Sequence, residues 1–177
     1  MAEPRVAVIY GSPSDANVMA KAGATLNRFG IDYEEVSISA HRAPRTLVEW
    51  ISGLAPRGIE VVIAGAGLSA ALPGVVAAHT TLPVIGVPIK GGAMDGIDSL
   101  LSIAQMPPGV PVACVGLSNS TNAAVLAVQM LAVGDPSLRT KLEEFKENFE
   151  KAAADGLAEA EAAAAQAASV QAARSGR

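Results

Sequence analysis

The sequence predicts an α/β protein in which helices cover both faces of a parallel, doubly wound sheet. Half of the 177 residues are hydrophobic but only 3% are aromatic. Most apolar residues are therefore Ala, Val, Ile and Leu, which suit strands that are buried on both faces. Short β-branched runs alternate along the chain with segments of helical period, and each run ends in small or polar residues. Such alternation gives parallel strands joined by right-handed crossovers.

The individual elements follow from this alternation. Five runs are candidate strands, at residues 5–10, 33–38, 61–64, 84–87 and 112–115. The spacing of apolar residues predicts helices at 17–29 and 44–54. After Pro136, apolar residues fall three or four apart and predict a helix whose narrow stripe needs a packing partner: Leu138, Leu142, Phe145 and Phe149. We therefore expect an α/β domain at 1–135 and a helical extension at 136–177, whose Ala-rich last part frays.

Composition and charge exclude several classes of function. The net charge is −4 and Lys and Arg form no cluster, so no nucleic acid partner is expected. No stretch approaches the ~18 apolar residues of a membrane span, and no leader precedes the first strand, so we expect a soluble cytoplasmic protein. The single cysteine, Cys114, lies in an apolar run and is expected in the core. Two histidines and one cysteine far apart predict no metal site.

The first loop that follows a strand is suited to an anion. Gly11, Ser12, Ser14 and Asp15 lie between a strand and a helix, where backbone N–H groups and hydroxyls meet the positive end of the helix. Asp15 cannot hold a phosphate, but its carboxylate can accept hydrogen bonds from ribose hydroxyls. The alternative is that Ser14 or Asp15 only caps the helix.

The second loop combines a proton carrier with a permanent cation. It contains Ser39, Ala40, His41 and Arg42, and Pro44 is placed to begin the next helix. Histidine exchanges a proton near neutral pH, and arginine offers a forked donor for phosphate or carboxylate. A His-Arg pair is often only a solvated loop. In a sheet of order 2-1-3-4-5, however, this loop, the first loop and the loop after strand 3 surround one crevice.

The third loop matches a dinucleotide-binding pattern that we reject. Gly65, Ala66 and Gly67 begin a G-x-G-x-x-A motif. That fingerprint expects an acidic residue after the next strand, where this chain has Pro88 and Ile89. We expect the glycines instead to let the backbone approach a flat ligand.

The loop after the fourth strand, at 88–96, is of the kind that a binding site uses, but its segment 90–92, Lys-Gly-Gly, lacks the spacing of a P-loop and is no evidence for nucleoside triphosphate binding. Other polar residues are expected to be structural. His79 ends a helical segment, where a cation complements the helix dipole. Asp95 and Asp98 are expected to cap the helix that follows them rather than to reach the crevice.

Six segments together resemble the PurE family, the 5-(carboxyamino)imidazole ribonucleotide mutases of purine biosynthesis. They are GSPSD, SAHRAP, AGAGLSAALPG, LPVIGVP, DGIDSLLSIAQMPPGVPVA and NAAVLA, within residues 5–135. The resemblance implies a flavodoxin-like three-layer sandwich, assembled as a homo-octamer in which the C-terminal helix reaches neighbouring subunits. It also implies an imidazole ribonucleotide substrate and no cofactor.

The resemblance also implies roles for residues of the three loops. Ser12, Asp15 and Arg42 match positions that hold the ribose phosphate, and Ser39 matches a position in the base and carboxylate pocket. The 65–74 loop, with Ala71 and Leu72, lines the same pocket. His41 matches the proton-transfer residue. The implied reaction moves carbon dioxide from the exocyclic nitrogen to C4 of the imidazole.

One position departs from the family pattern. The mutase branch usually carries histidine where this chain has Ala71. Two alternatives therefore stay open: an aminoimidazole ribonucleotide carboxylase that uses free carbon dioxide, and a ribonucleotide-binding module without catalysis. Arg42, where the carboxylase branch typically has lysine, and the ALPG segment favour the mutase.

Overall fold

Five parallel strands form one sheet in the order β2-β1-β3-β4-β5. The computed structural model describes residues 3–175, with side chains described up to residue 164. The strands are β1 (Val6–Tyr10), β2 (Tyr33–Ser37), β3 (Val61–Gly67), β4 (Val84–Ile89) and β5 (Ala113–Cys114). The helices are α1 (Ala16–Arg28), α2 (Pro44–Ser52), α3 (Leu72–Ala78), α4 (Ile97–Ala104), α5 (Ser120–Leu131) and α6 (Pro136–Ser175). The predicted α/β class and sheet order are confirmed.

All five strands differ from the prediction at one end or both, by a single residue in β1 and β2 and by more in total in β3, β4 and β5. β3 continues to Gly67 and β4 to Ile89, because residues 64–67 pair in parallel with residues 86–89. Strand pairing here overrides the low β-propensity of glycine and proline. β5 is shorter than predicted: it pairs with β4 only at Ala113 and Cys114.

Both faces of the sheet are buried, and strand residues alternate between them. On one face, β1 and β3 contribute to a cluster with residues of α2, α3 and α4; its buried members include Ala7, Ile9, Leu47, Ile51, Val62, Ala64, Val76 and Ile103. The intervening residues Val6, Val8 and Ile63 are also fully buried, on the face where α1 packs against β1 and α5 against β3. Each fully buried Val, Leu or Ile side chain stabilises such a core by roughly 1.5–3 kcal/mol.

Arg5 and Asp135 join the two ends of the α/β part of the chain. The Arg5 Nη1 lies 3.0 Å from the Asp135 Oδ2, and the Arg5 Nε donates to Glu60. The other Asp135 oxygen accepts hydrogen bonds from the backbone N–H and the hydroxyl of Ser137, in the first turn of α6. These bonds cap the helix where it begins.

Two compact units divide the chain between Leu138 and Arg139. In the second unit, the rings of Phe145 and Phe149 meet edge to face with centroids 4.9 Å apart. The helix extends to Ser175, and the predicted fraying falls in part on residues 176–177, which lie outside the described residues. Within the described chain, no helix is both long and apolar enough to cross a membrane.

Candidate active site

A cavity of about 610 Å³ opens at the carboxyl edge of the sheet, among the loops that follow four neighbouring strands. Parallel α/β sheets bind ligands at this edge. Twelve of the thirteen residues that the sequence predicts for the site line this cavity: Gly11, Ser12, Ser14, Asp15, Ser39, Ala40, His41, Arg42, Ala66, Gly67, Ala71 and Leu72. Gly65 is the predicted site residue that does not line it.

Backbone hydrogen bonds hold the first three loops side by side. The N–H of Gly11 donates to the carbonyl of Gly65 at 3.2 Å, and the N–H of Ile38 donates to the carbonyl of Tyr10 at 3.0 Å. These bonds continue the sheet just beyond its strands. The loops after β2, β1 and β3 therefore meet along one wall of the cavity.

Ser12 organises the loop after β1. Its hydroxyl oxygen accepts from the backbone N–H of Ser14 at 3.4 Å and from the Ser14 hydroxyl at 2.9 Å, and so caps a short 3-10 helix at Pro13–Asp15. Asp15 stands at the N-cap of α1 but makes no side-chain cap hydrogen bond. The alternative that Ser14 or Asp15 only caps the helix is therefore wrong: Ser12 is the capping side chain, and the carboxylate of Asp15 remains available to a ligand.

Burial raises the pKa of the Asp15 carboxyl. Hydrogen bonds from the Ser14 hydroxyl and the Ser12 backbone lower it, but they do not offset the loss of water. A half-buried carboxylate that lacks strong donors gains from hydroxyl groups supplied by a ligand.

Ser39 shapes the loop after β2. Its hydroxyl accepts from the N–H of Arg42 at 3.3 Å, and its carbonyl accepts from the N–H of Ala43 at 2.9 Å. This tight turn brings His41 and Arg42 to the cavity, where both are exposed. In the part of the chain with described side chains, neither the His41 ring nor the Arg42 guanidinium has a hydrogen-bond or ion-pair partner. Both groups are free to contact a ligand.

The loop after β3 forms a wall of small side chains. Ala66, Gly67, Ala70, Ala71 and Leu72 line the cavity. Leu68, in the same loop, has a left-handed backbone with φ 56°. The wall offers little that would bind water.

Gly65 lies beneath this wall. A Cβ at this position would collide with the sulfur of Met19 on α1. Side chains of a strand alternate between its two faces, so Ala64 and Ala66 point to one face and Gly65 to the other. Glycine is therefore needed at position 65 to leave room for Met19, and not to let a ligand approach.

The loop after β4 supplies part of the cavity that the sequence-based site did not include. Ile89, Lys90, Gly91 and Gly92 line it, as does Val18 of α1. Leu68, Ser69 and Ala70 also line the cavity, within the 65–74 loop that the resemblance assigned to the pocket. In the predicted strand order β4 lies next to β3, so the loop after β4 could have been expected at the same cavity, and Lys90 with it. The Lys90 Nζ lies 3.0 Å from the Asp95 Oδ2.

The remaining predictions concern residues outside the cavity. His79 occupies the C-cap of α3 as predicted. The carboxylate of Asp98 accepts from the N–H of Ser99 within the first turn of α4. Asp95 does not cap α4, whose N-cap is Gly96; it pairs with Lys90 instead. Among the described residues, no three His, Cys, Asp or Glu side chains are grouped to hold a metal ion.

Comparison with known proteins places this site in a family. A family model described as AIR carboxylase matches residues 5–152. The chain belongs to the AIR carboxylase family. Within that family it is 52% identical over 148 residues to the N5-carboxyaminoimidazole ribonucleotide mutase of Pyrococcus abyssi, covering 84% of this chain and 85% of the relative.

The chain is also similar to a relative with a different name and to a protein of known crystal structure. The phosphoribosylaminoimidazole carboxylase of Saccharomyces cerevisiae is 54% identical over 145 residues, which are 82% of this chain but 25% of the yeast protein. The crystal structure of PurE from Treponema denticola superposes with a TM-score of 0.77 at 28% identity, covering 84% of this chain and 92% of that one.

Proposed function

We propose that this protein is a mutase of purine biosynthesis that converts 5-(carboxyamino)imidazole ribonucleotide to 4-carboxy-5-aminoimidazole ribonucleotide. The observation that carries the proposal is that the unpaired His41 and Arg42 line one cavity with the hydroxyl-rich loop at Ser12. A phosphate, a ribose and a reacting imidazole each find a matching group there. Relatives that carry the mutase name, about half identical over most of the chain, support the same activity.

The proposed pose follows the loops along the sheet edge. The phosphate lies against the hydroxyls of Ser12 and Ser14 and the guanidinium of Arg42, because helix N-termini and arginine forks both suit phosphate. Asp15 accepts hydrogen bonds from the ribose hydroxyls. The imidazole and its carboxylate lie against the backbone and side chains that line the rest of the pocket: Gly11, Ser39, Ala40, Ala66, Gly67, Ala71 and Leu72. Gly65 lies behind this lining, against Met19.

His41 carries the proton in the proposed chemistry. The bond between the exocyclic nitrogen and the carboxylate carbon breaks, and protonated His41 donates to the nitrogen, leaving aminoimidazole and carbon dioxide. C4 then forms a bond to that carbon dioxide, and neutral His41 removes the C4 proton. The imidazole side chain returns to its starting state, and the reaction as proposed uses no cofactor.

The wall formed by residues 66–72 is suited to the released gas. Carbon dioxide is neutral, and it must stay beside C4 until the new bond forms. Apart from the Ser69 hydroxyl, the side chains of this wall offer no hydrogen bonds to water, so hydration of carbon dioxide is disfavoured next to them.

A rate comparison tests the proposal against its main alternative, the carboxylase named for the yeast relative. The purified protein is given the carboxyamino substrate, or aminoimidazole ribonucleotide with bicarbonate, and formation of the C4 carboxylate is followed. Faster turnover of the carboxyamino substrate is expected. Faster turnover of the second mixture would assign the carboxylase activity, and tight binding of both without turnover would assign a ribonucleotide-binding module.

We further propose that the cytoplasmic enzyme is a homo-octamer, with catalysis in residues 1–135 and an assembly role for 136–177. In support, Met94, Ile97 and Leu101 at the start of α4 are 56%, 49% and 50% exposed, and exposed apolar patches commonly mark interfaces. Phe149 and Leu157 on α6 are also exposed. Light scattering should give the octamer mass, and Leu101→Glu should give smaller species. A monomeric wild-type protein would contradict this assembly.

A further inference from the structure

The wall after β3 carries no charge that could balance a carboxylate. Residues 66–72 are Ala, Gly, Leu, Ser, Ala, Ala and Leu, and only Ser69 has a side-chain hydrogen-bond donor. The proposed substrate has a phosphate at one end and a carboxylate on or beside its imidazole. Arg42 accounts for one of these anions. The second anion needs a cation near the β3 wall.

Lys90 stands next to this wall. It directly follows Ile89, which pairs with Gly67 in the register of β3 and β4, and it lines the cavity. Among the described residues that line the cavity, Arg42 and Lys90 carry the permanent positive charges. Arg42 lies in the loop after β2 and Lys90 directly after β4, two strands that are three strand spacings, roughly 14 Å, apart in the sheet.

The backbone of Lys90 is held firmly. Its N–H donates to the hydroxyl of Ser118 at 3.0 Å. A Cβ on Gly96 would lie 3.0 Å from the Cα of Lys90, so the two backbones are in close contact. Gly96 and Ser118 have left-handed backbones, with φ 94° and 54°; this conformation is ordinary for glycine but uncommon for serine. The backbone of Lys90 is thus fixed by its neighbours, while its side chain is 59% exposed.

The side chain of Lys90 is oriented by Asp95. The Nζ lies 3.0 Å from the Asp95 Oδ2, and Asp95 has φ 53°. Backbone conformations of this kind are sparsely populated by residues other than glycine and recur at functional sites. An exposed ion pair is weak, so this contact directs the ammonium without immobilising it. One of its three N–H donors faces Asp95, and two remain for a ligand.

We propose that Lys90, oriented by Asp95, binds the carboxylate of the imidazole substrate. This inference rests on the proposed function, since it concerns the carboxylate of that substrate. Arg42 and Lys90 then hold the two anionic ends of one ligand across the cavity. Asp95 is a positioning residue that acts through Lys90.

Equilibrium binding of two ligands tests the inference. 4-Carboxy-5-aminoimidazole ribonucleotide carries phosphate and carboxylate, whereas aminoimidazole ribonucleotide carries phosphate alone. Lys90→Met should weaken binding of the first about tenfold or more, since hydrogen bonds to charged groups are lost, and change the second by less than about twofold. Lys90→Arg, which keeps the charge, should retain most of the affinity for the carboxylated ligand. Asp95→Asn should give a smaller loss that is also confined to that ligand.

Lys21→Met is the matched control, because Lys21 is exposed on α1 and does not line the cavity. It should bind both ligands as the wild type does. Unchanged binding in Lys90→Met, equal weakening of both ligands, or equal losses in Lys90→Arg and Lys90→Met would each overturn the inference. Failure of the wild-type protein to bind either ligand would instead overturn the proposed function, and with it this inference.

Discussion

The side chain of Leu68 fills the space that a Cβ on Gly92 would need. Leu68 belongs to the loop after β3 and Gly92 to the loop after β4, and both have left-handed backbones, with φ 56° and 66°. The two loops therefore interlock at the rim of the cavity. Because Gly92 has no side chain, the loop after β3 can place Leu68 against the loop after β4.

Gly92→Ala should disturb this rim. The new Cβ meets Leu68, and an L-residue in the left-handed region costs roughly 1–2 kcal/mol, so the free energy of unfolding should fall by about that amount or more. Denaturant titration measures the change. Gly91→Ala is the control, because nothing beyond its chain neighbours lies within 4 Å of the place its Cβ would take, and its φ is not positive. Similar losses in both variants would contradict the interlock.

His41→Asn should abolish turnover while leaving substrate affinity within about tenfold, since the change removes the proton carrier and keeps a polar side chain of similar reach. Steady-state rates and equilibrium binding measure the two quantities separately. His79→Asn, at the end of α3 and outside the cavity, should behave as the wild type. Near-normal turnover in His41→Asn would remove the proposed proton-transfer role.

Arg42→Met should weaken binding of phosphorylated imidazole ligands by roughly 10- to 100-fold, because a charge-assisted hydrogen bond to phosphate is lost. Binding of the corresponding nucleoside, which lacks the phosphate, should change little. Arg45→Met on the exposed face of α2 provides the control. Equal losses of affinity for the nucleotide and the nucleoside would show that Arg42 does not contact the phosphate.

Asp15→Asn should stabilise the fold at neutral pH and impair substrate binding. Burial raises the pKa of Asp15, so the folded state resists ionisation and loses stability as pH rises from the ordinary aspartate pKa through the raised one. Removing the charge recovers that stability. Below the ordinary pKa both side chains are neutral, and the difference should vanish.

Thermal unfolding across a pH series and the KM at neutral pH test the two halves of the Asp15 prediction. Asp32→Asn, at an exposed position outside the cavity, is the control for removing one negative charge. A KM equal to that of the wild type would show that Asp15 does not hold the ribose.

Asp135→Asn should destabilise the protein at neutral pH. Hydrogen bonds from Ser137 and then Arg5 lower the pKa of Asp135. Its contribution is therefore present above the ordinary aspartate pKa and is lost as pH falls through the depressed value. Unfolding measured from neutral pH into acid should show the variant and the wild type converging. Asp155→Asn is the control, and a constant gap at all pH values would contradict the linkage.

The sequence predicted the layers of the fold well because buried strands have a strong local signature. Runs such as residues 61–64 are rich in β-branched residues and bounded by small residues, so they could be predicted as strands from the local sequence alone. The ends of β3 and β4 were missed because Gly65 and Gly67 pair through neighbouring backbones, which no local propensity reports. The sheet order was taken from a common arrangement of doubly wound sheets, and the family resemblance implied the same fold.

The site was predicted loop by loop, and its omissions have the same origin. His41, Arg42 and Ser12 stood out by residue type, whereas Lys90 was noticed only as part of a loop after a strand and was given no role once the P-loop pattern was rejected. Lys90 lies at the cavity because β4 is next to β3, and the local sequence around Lys90 does not report which strands are neighbours. Gly65 was assigned to the ligand side because its contact with Met19 joins residues far apart in sequence.

The bond between Arg5 and Asp135 means that the α/β segment starts and finishes at the same spot. A short peptide could bridge those two points, and new termini could then be opened in an exposed loop, such as the one at Pro107 and Pro108. Proteins whose ends adjoin commonly accept such rearrangement of chain order. The α/β part of this molecule is therefore a good candidate for circular permutation.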